Sequence, residues 1–348
     1  MDSPAQRNPL PLLRPDADGV VDVSHEPTGA IAAGYRLPCG EDANFSEPFL
    51  ELDATNCRIG RIERLERCTS LRRLVLRQNA ITEIRGLETL AELEELDLYL
   101  NKIRAVGGLE NKPKLQRLDL SFNRITDMQP LERFALPSLQ ELYLIQNRLT
   151  AIAGLRAEHL PQLITLELGS NRLRAIGENV RQVAGTLENL WLGRNKIERL
   201  ESLHTLHRLK RLSVQSNRIT CIGTALHGCA ATLQELYLSH NGIGHLSGVD
   251  MLTALRVLDV STNAVERIGE SLASLTHLEE LWINDNRIRD WTELEVLQSN
   301  RSLRTLYFEG NPAAQKLRDD EGERVYRARV LEALPWLTQI DAEPVALE

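Results

Sequence analysis

The sequence predicts an α/β fold built as a solenoid of about twelve short repeats. Each repeat is expected to lay one strand into a parallel sheet on a concave side and to return on a convex side through 3-10 or short helical segments. Three observations carry this. The pattern L-x-x-L-x-L-x-x-N-x-I-x-x-I recurs, as in "LRRLVLRQNAITEI" from Leu71, "LEELDLYLNKIRAV" from Leu93 and "LQRLDLSFNRITDM" from Leu115. Its asparagine returns at Asn79, Asn101, Asn123, Asn147, Asn171, Asn195, Asn217, Asn241, Asn263, Asn286 and Asn311, in steps of 22 to 25 residues. After Asn311 the pattern gives way to a segment of helical character, as an array that must close its sticky end requires.

A repeat of this length and pattern is the signature of a leucine-rich repeat. Within it, L-x-L alternates with period two and reads as a short strand with both leucines inward. The asparagine turns the chain, and its amide can satisfy backbone groups that a tight turn leaves unpaired. Stacked asparagines should therefore form an interior ladder. The I-x-x-I that follows is too short for a long helix, so 3-10 or single-turn pieces are expected there. The 24-residue repeats add their extra residues on that convex side. A degenerate first repeat puts Cys57 in the asparagine column, followed by Ile59 and Ile62.

The array is expected over residues 46–311 and a carboxyl-terminal cap over 312–348. In the cap, Tyr326, Val330, Leu331, Leu334, Trp336 and Leu337 read as an amphipathic helix and closing turn, with Pro335 ending the helix. Residues 1–45 read as an acidic, proline-rich, disordered tail. Seven of the fourteen prolines and eight acids against three arginines fall in the first 48 residues.

The whole chain carries a net charge of −8. That balance gives no basic footprint for nucleic acid or an anionic membrane. No apolar run is long enough to span a bilayer, and no secretory leader is read at the amino terminus. The five cysteines form no CxxC pair and are odd in number, so free thiols in a reducing compartment are expected.

The residue between the two strand leucines points out of the concave face. That column reads Val75, Asp97, Asp119, Tyr143, Glu167, Trp191, Ser213, Tyr237, Asp259, Trp282, Tyr307. Its eleven positions hold five of the ten Trp and Tyr residues and four carboxylates, and no Lys or Arg. Aromatics favour strands, but Asp is depleted there. Exposed aromatics beside carboxylates point to a protein-binding surface whose partner presents basic residues amid apolar relief. Trp282 stands in this column and Trp291 at a core-facing isoleucine position, so the first should be wet and the second dry.

The stretches "LRQNAITEI", "LELGSNRLRAI", "LYLSHNGI", "LWINDNRIRDW" and "LEALPWLTQIDA" resemble the leucine-rich-repeat regulatory subunits of protein phosphatase type 1, the regulatory subunit 7 family. The likeness runs from about residue 45 to 345. It implies a non-catalytic subunit that grips the phosphatase catalytic subunit with its concave face. Matched by motif position, the contacts it implies are Asp119, Tyr143, Glu167, Trp191, Tyr237, Asp259, Glu280, Trp282 and Tyr307. Tyr143 and Trp191 stand where the family commonly has Phe. A further phosphatase inhibitor protein in a ternary complex and a monomer when free are expected with it; residence in nucleus and cytoplasm is expected from the free thiols and the lack of a leader.

An enzyme is the first rival reading. The eight histidines lack zinc-ligand spacing, and no G-x-x-x-x-G-K-S/T, G-x-S-x-G or H-E-x-x-H appears. No cofactor, metal or catalytic residue is therefore expected. The second rival is a repeat adaptor for another protein partner, axonemal, cytoskeletal or spliceosomal. It would differ in the concave column.

Overall fold

The computed structural model describes residues 50–345 apart from Arg64, together with the backbone of Val20–Asp22. The remainder of the expected tail lies outside the described residues. The chain falls into two compact bodies. One comprises Met1–Leu149 with Ala153–Leu163, the other Thr150–Ile152 with Ile164–Glu348.

In the amino-terminal body, six three-residue strands pair in parallel in chain order. They are β1 (Val20–Asp22), β2 (Glu51–Asp53), β3 (Arg73–Val75), β4 (Glu95–Asp97), β5 (Arg117–Asp119) and β6 (Glu141–Tyr143). The strand β1 is an element that the sequence reading did not place. The carboxyl-terminal body repeats the scheme with β7 (Thr165–Glu167), β8 (Asn189–Trp191), β9 (Arg211–Ser213), β10 (Glu235–Tyr237), β11 (Val257–Asp259), β12 (Glu280–Trp282) and β13 (Thr305–Tyr307). Register is exact by repeat position: Leu96 lies beside Leu74 and Leu118, and Leu281 beside Leu258 and Leu306. These leucines are fully buried. This is a leucine-rich-repeat fold with parallel strands and short 3-10 returns.

The predicted asparagine ladder is present in both bodies. Asn123 donates from Nδ2 to the carbonyls of Leu98 (3.0 Å), Leu120 (3.0 Å) and Ser121 (3.1 Å). Its Oδ1 accepts from the Ile103 amide at 2.9 Å. One side chain thus ties its own turn and staples it to the preceding repeat. Asn217 and Asn286 do the same in the other body. The residue before each ladder asparagine from Asn79 to Asn286 is left-handed, with φ between 52° and 56°. For a residue with a Cβ that conformation costs about 1–2 kcal/mol, and the asparagine bonds offset it.

The return side follows repeat length. The 3-10 segments among the described residues are Gln129–Arg133 in the first body, and Glu178–Val183, His227–Cys229, Glu270–Leu272 and Trp291–Ser299 in the second. Each lies in a repeat longer than 22 residues. The 22-residue repeats close with turns alone, and so does the 24-residue repeat from Asn147 to Asn171; in the other longer repeats the added residues wind into a 3-10 turn.

The cap holds two helices rather than the single one expected, α1 (Pro312–Glu321) and α2 (Glu323–Ala333), separated by Gly322 at φ 89°. Helix α2 ends two residues before Pro335, as that proline requires. Tyr326, Val330, Leu334 and Leu337 are buried, whereas Leu331 and Trp336 are only half-buried. Beyond the helices, β14 (Gln339–Ile340) adds in parallel to β13, and β15 (Glu343–Pro344) turns back on it. Asp341 organises this end. It accepts from the Phe308 amide (2.8 Å), the Glu309 amide (3.0 Å), the Tyr326 hydroxyl (2.8 Å) and Arg318 (2.8 Å).

Two features depart from expectation. Cys68 is disulfide-bonded, which corrects the reading of all five cysteines as free thiols. A bridge needs Cα atoms within about 7 Å, a tertiary proximity that spacing along the chain does not encode. Cys221 and Cys229 are free thiols. Lys112 occupies the slot that Leu90 fills in the preceding repeat and is fully buried. Its ammonium donates to the Glu110 carbonyl at 2.8 Å, and desolvation lowers its pKa. Among the described residues, no helix is long and apolar enough to cross a membrane.

Replacing Asn123 by alanine should lower stability by about 2–4 kcal/mol, because it orphans buried backbone groups of two repeats; thermal melts check this. Lys112→Leu should raise stability by about 1–3 kcal/mol near neutral pH, since an apolar group of similar size replaces a buried charge. The wild type binds fewer protons at this site folded than unfolded, so its own stability rises with pH toward the ordinary lysine value of 10.5. The variant's advantage should shrink over the same range, which melts at several pH values would read.

Candidate functional site

Strand register places the predicted column on the outer side of each sheet, opposite the buried leucines. Its aromatic members behave as alternation demands. Tyr143 in the amino-terminal body, and Trp191, Tyr237, Trp282 and Tyr307 in the carboxyl-terminal body, are all half-buried with one side in solvent. In the second body they come in pairs. Trp191 and Tyr237 stack at 6.1 Å between centroids, 22° from parallel. They belong to alternate strands, and the small, buried Ser213 of β9 between them leaves the room. Trp282 and Tyr307, on neighbouring strands, meet at 5.2 Å and 52°.

Polar anchors hold the rings. The Tyr143 hydroxyl donates to Glu141 at 2.9 Å, and the Arg117 guanidinium lies 4.8 Å from the ring centre. Tyr237 donates to Glu235 at 3.0 Å. Burial, with the hydrogen bond and charge of the neighbouring glutamate, pushes both phenols up to about 12. The Tyr307 hydroxyl accepts from Gln339 at 2.9 Å. Glu280 is half-buried and close enough to Tyr237 to raise its phenol further. The Trp282 indole N–H is covered and has no hydrogen-bond partner among the described residues.

The aspartates are placed differently from expectation. Asp97 is fully covered, Asp119 is 7% exposed and Asp259 5%. Each is the last residue of its strand, and each carboxylate turns back onto the chain. Asp97 accepts from the Tyr99 amide (3.1 Å) and Asp119 from the Ser121 amide (2.9 Å). Asp259 accepts from the Ser261 amide (3.0 Å) and hydroxyl (2.6 Å). A short carboxylate reaching the amide two residues on is an Asx turn. The scarcity of aspartate in strands does not apply to a residue that ends one. Desolvation raises the Asp119 pKa despite these bonds.

Glu167 makes the same turn with a longer arm. It accepts from the Gly169 amide at 2.9 Å, and burial pushes its pKa up to about 7. A Cβ at Gly169 would stand 2.8 Å from this carboxylate, so glycine is what lets the side chain lie there. No cation faces it among the described residues.

A second column went unread in the sequence. The residues that open the strands of the amino-terminal body alternate in sign: Glu51, Arg73, Glu95, Arg117, Glu141. Arg73 reaches Glu95 at 3.0 Å and Glu51 at 3.4 Å, and Arg117 reaches Glu141 at 3.4 Å. Opposite charges one repeat apart were visible in the chain; only register puts them side by side. Trp291 also departs from expectation. It packs on Phe308 (5.7 Å) and Tyr326 (6.1 Å) but is half-buried, so both indoles of the "LWINDNRIRDW" stretch keep an open edge.

The histidine-rich return side has no metal geometry. His204 Nε2 lies 3.0 Å from the Arg181 guanidinium, and His207 bonds the Gly228 carbonyl at 2.8 Å. Among the described residues, no three His, Cys, Asp or Glu side chains gather to hold an ion.

The fold and its repeats define a leucine-rich-repeat protein. A model described as "Leucine Rich repeats (2 copies)" matches residues 69–111, 91–133 and 113–157, and one described as "Leucine-rich repeat" matches residues 191–261. Among characterised relatives, the chain is 42% identical over 72 residues to protein phosphatase 1 regulatory subunit SDS22 of Schizosaccharomyces pombe, covering 20% of each. It is 39% identical over 74 residues to protein phosphatase 1 regulatory subunit pprA of Dictyostelium discoideum, covering 21% of this chain and 20% of that one. The matches thus span about a fifth of those relatives' length. Two solved structures share the fold. An internalin, inlF, from Listeria monocytogenes aligns with TM-score 0.63 at 23% identity, covering 86% of this chain and 87% of that one. The Leptospira interrogans leucine-rich-repeat protein LIC12759 aligns with TM-score 0.62 at 23% identity, covering 84% and 75%.

Glu167 yields a test of its environment. Its folded pKa of about 7 exceeds the ordinary 4.5, so the folded chain holds a proton that the unfolded chain releases between those values. Stability should therefore fall as pH rises through that window and level off above it. Glu167→Gln should remove this part of the slope in melts taken across the window; an unchanged profile would show the carboxyl to be ordinary.

Proposed function

We propose that this chain is a non-catalytic subunit that binds the catalytic subunit of protein phosphatase type 1 through the outer faces of its strands. The observation that carries the reading is the pair of aromatic clusters on one sheet face, Trp191 with Tyr237 and Trp282 with Tyr307. Fold stability does not require large rings to stand half in water at that spacing. Buried at an interface, such rings are the usual energetic anchors. Glu280, and the Glu167 oxygen not bonded to the Gly169 amide, flank them and can receive basic partner side chains. In the amino-terminal body Tyr143 plays the same part. Asp119 and Asp259, already bonded to their own turns, act chiefly by fixing the backbone beneath the contact. The likeness to SDS22 and pprA supports the choice of partner.

The same reading makes the chain a monomer when free, places it in nucleus and cytoplasm, and allows a phosphatase inhibitor protein as a third component. In that compartment the Cys68 bridge would be open to reduction.

Trp282→Ala combined with Tyr307→Ala should weaken calorimetric binding to the phosphatase catalytic subunit by several kcal/mol, since such aromatics commonly contribute at least about 2 kcal/mol each. The melting curve should barely move. Full affinity in the double variant would reject the reading.

A further inference from the structure

The turn edge of the amino-terminal body, just past β4 and β5, carries a second surface of opposite character. Leu100 and Phe122 are 43% and 36% exposed, and Tyr99 packs on Phe122 with ring centres 4.9 Å apart. Leu100 and Phe122 sit before ladder asparagines at φ 54° and 56°. The same column holds Gln78 and Gln146 elsewhere in this body, so neither core nor turn asks for an apolar side chain there.

Two residues further on stands a row of cations. Lys102, Arg124 and Arg148 follow their asparagines, and each backbone amide bonds to the preceding repeat at 2.8 Å, to Ile81, Ile103 and Ile125 respectively. Successive members are therefore about one strand spacing apart, roughly 4.8 Å. Arg104 extends the row sideways. All four are exposed and make no ion pair among the described residues. The cations at the other end of the strands are neutralised: Arg73 and Arg117 as above, Arg72 by Glu94 at 3.7 Å, and Lys114 by Glu92. Within one body, one edge of the sheet is paired; on the opposite edge Arg77 is held by Asp97 at 2.6 Å, but the row of Lys102, Arg124 and Arg148 has no ion pair among the described residues and has apolar side chains beside it.

We propose that this edge, centred on Leu100, Phe122, Lys102, Arg124 and Arg148, docks an acidic protein segment that carries leucine or phenylalanine among its carboxylates. Charge complementarity selects the acids, and the wet Leu100 and Phe122 select the apolar residues. A nucleic acid answers only the charge. It offers nothing to dry an aliphatic side chain, and the chain's net −8 repels a polyanion at long range. The surface is separate from the aromatic strand face and favours the opposite charge in its partner, so the inference does not depend on the phosphatase reading.

The test uses the full chain and a labelled peptide alternating glutamate with leucine and phenylalanine, followed by fluorescence anisotropy. Two variants borrow residues already present in these columns. Lys102→Ala with Arg124→Ala and Arg148→Ala copies Ala80 and Ala264, and Leu100→Gln with Phe122→Gln copies Gln78 and Gln146. Both should melt like the parent. Each should weaken the peptide by about tenfold or more, equivalent to about 1.4 kcal/mol, and added salt should weaken it further. Parent-like affinity in either variant would overturn the proposal. So would equal binding of a glutamate–serine peptide or an oligo(dT) strand. Self-association of the free chain that disappears in the Leu100/Phe122 variant would assign the edge to a second copy and overturn it as well.

Discussion

Everything in this molecule rests on one amide group used over and over. A ladder asparagine binds two or three carbonyls and one amide with a single side chain, closing its own turn and clamping the turn before it. The backbone ahead of it is held left-handed at every step, an arrangement that would not persist without those bonds. Because the bonds cross from repeat to repeat, they also fix register. Register in turn decides which side chains stand next to one another on the strand faces. The rings of Trp191 and Tyr237, far apart in sequence, stack only because the repeats between them keep step.

That constraint explains why polar residues of the strand face divide into two kinds. At a strand's last position, an aspartate is short enough to fold back on the amide two residues ahead, so Asp97, Asp119 and Asp259 become part of the turn. An aromatic at the same position has no such option and stays half in water. Glu167 is intermediate. Its arm reaches the turn, but only because Gly169 leaves space, and it lies in an environment dry enough to favour the proton. The single column of the sequence therefore contains both turn-formers and candidate contact residues.

Charge is organised by edge rather than by net total. The entry side of the strands in the amino-terminal body is a ladder of alternating signs that neutralises itself. The exit side carries Lys102, Arg124 and Arg148, unpaired among the described residues, beside exposed Leu100 and Phe122. A single figure for net charge hides this difference between the two edges. The two faces so defined suit partners of different chemistry.

The sequence by itself determined the repeat, its strand and its turn, since leucine spacing and the recurring asparagine are local patterns with one economical solution. It also determined that extra residues go to the return side, where most of the longer repeats add a 3-10 turn. The outward direction of the aromatics followed from the two-residue period of a strand. Tertiary structure decided the rest. Whether a carboxylate is free or committed depends on the geometry of the turn beyond it, and whether a cation is paired depends on its neighbour a full repeat away. The Asp341 hub beneath the cap and the pairing of β1 with β2 join residues that no short-range pattern relates. These are long-range proximities, and they exist only once the stack has set the distances.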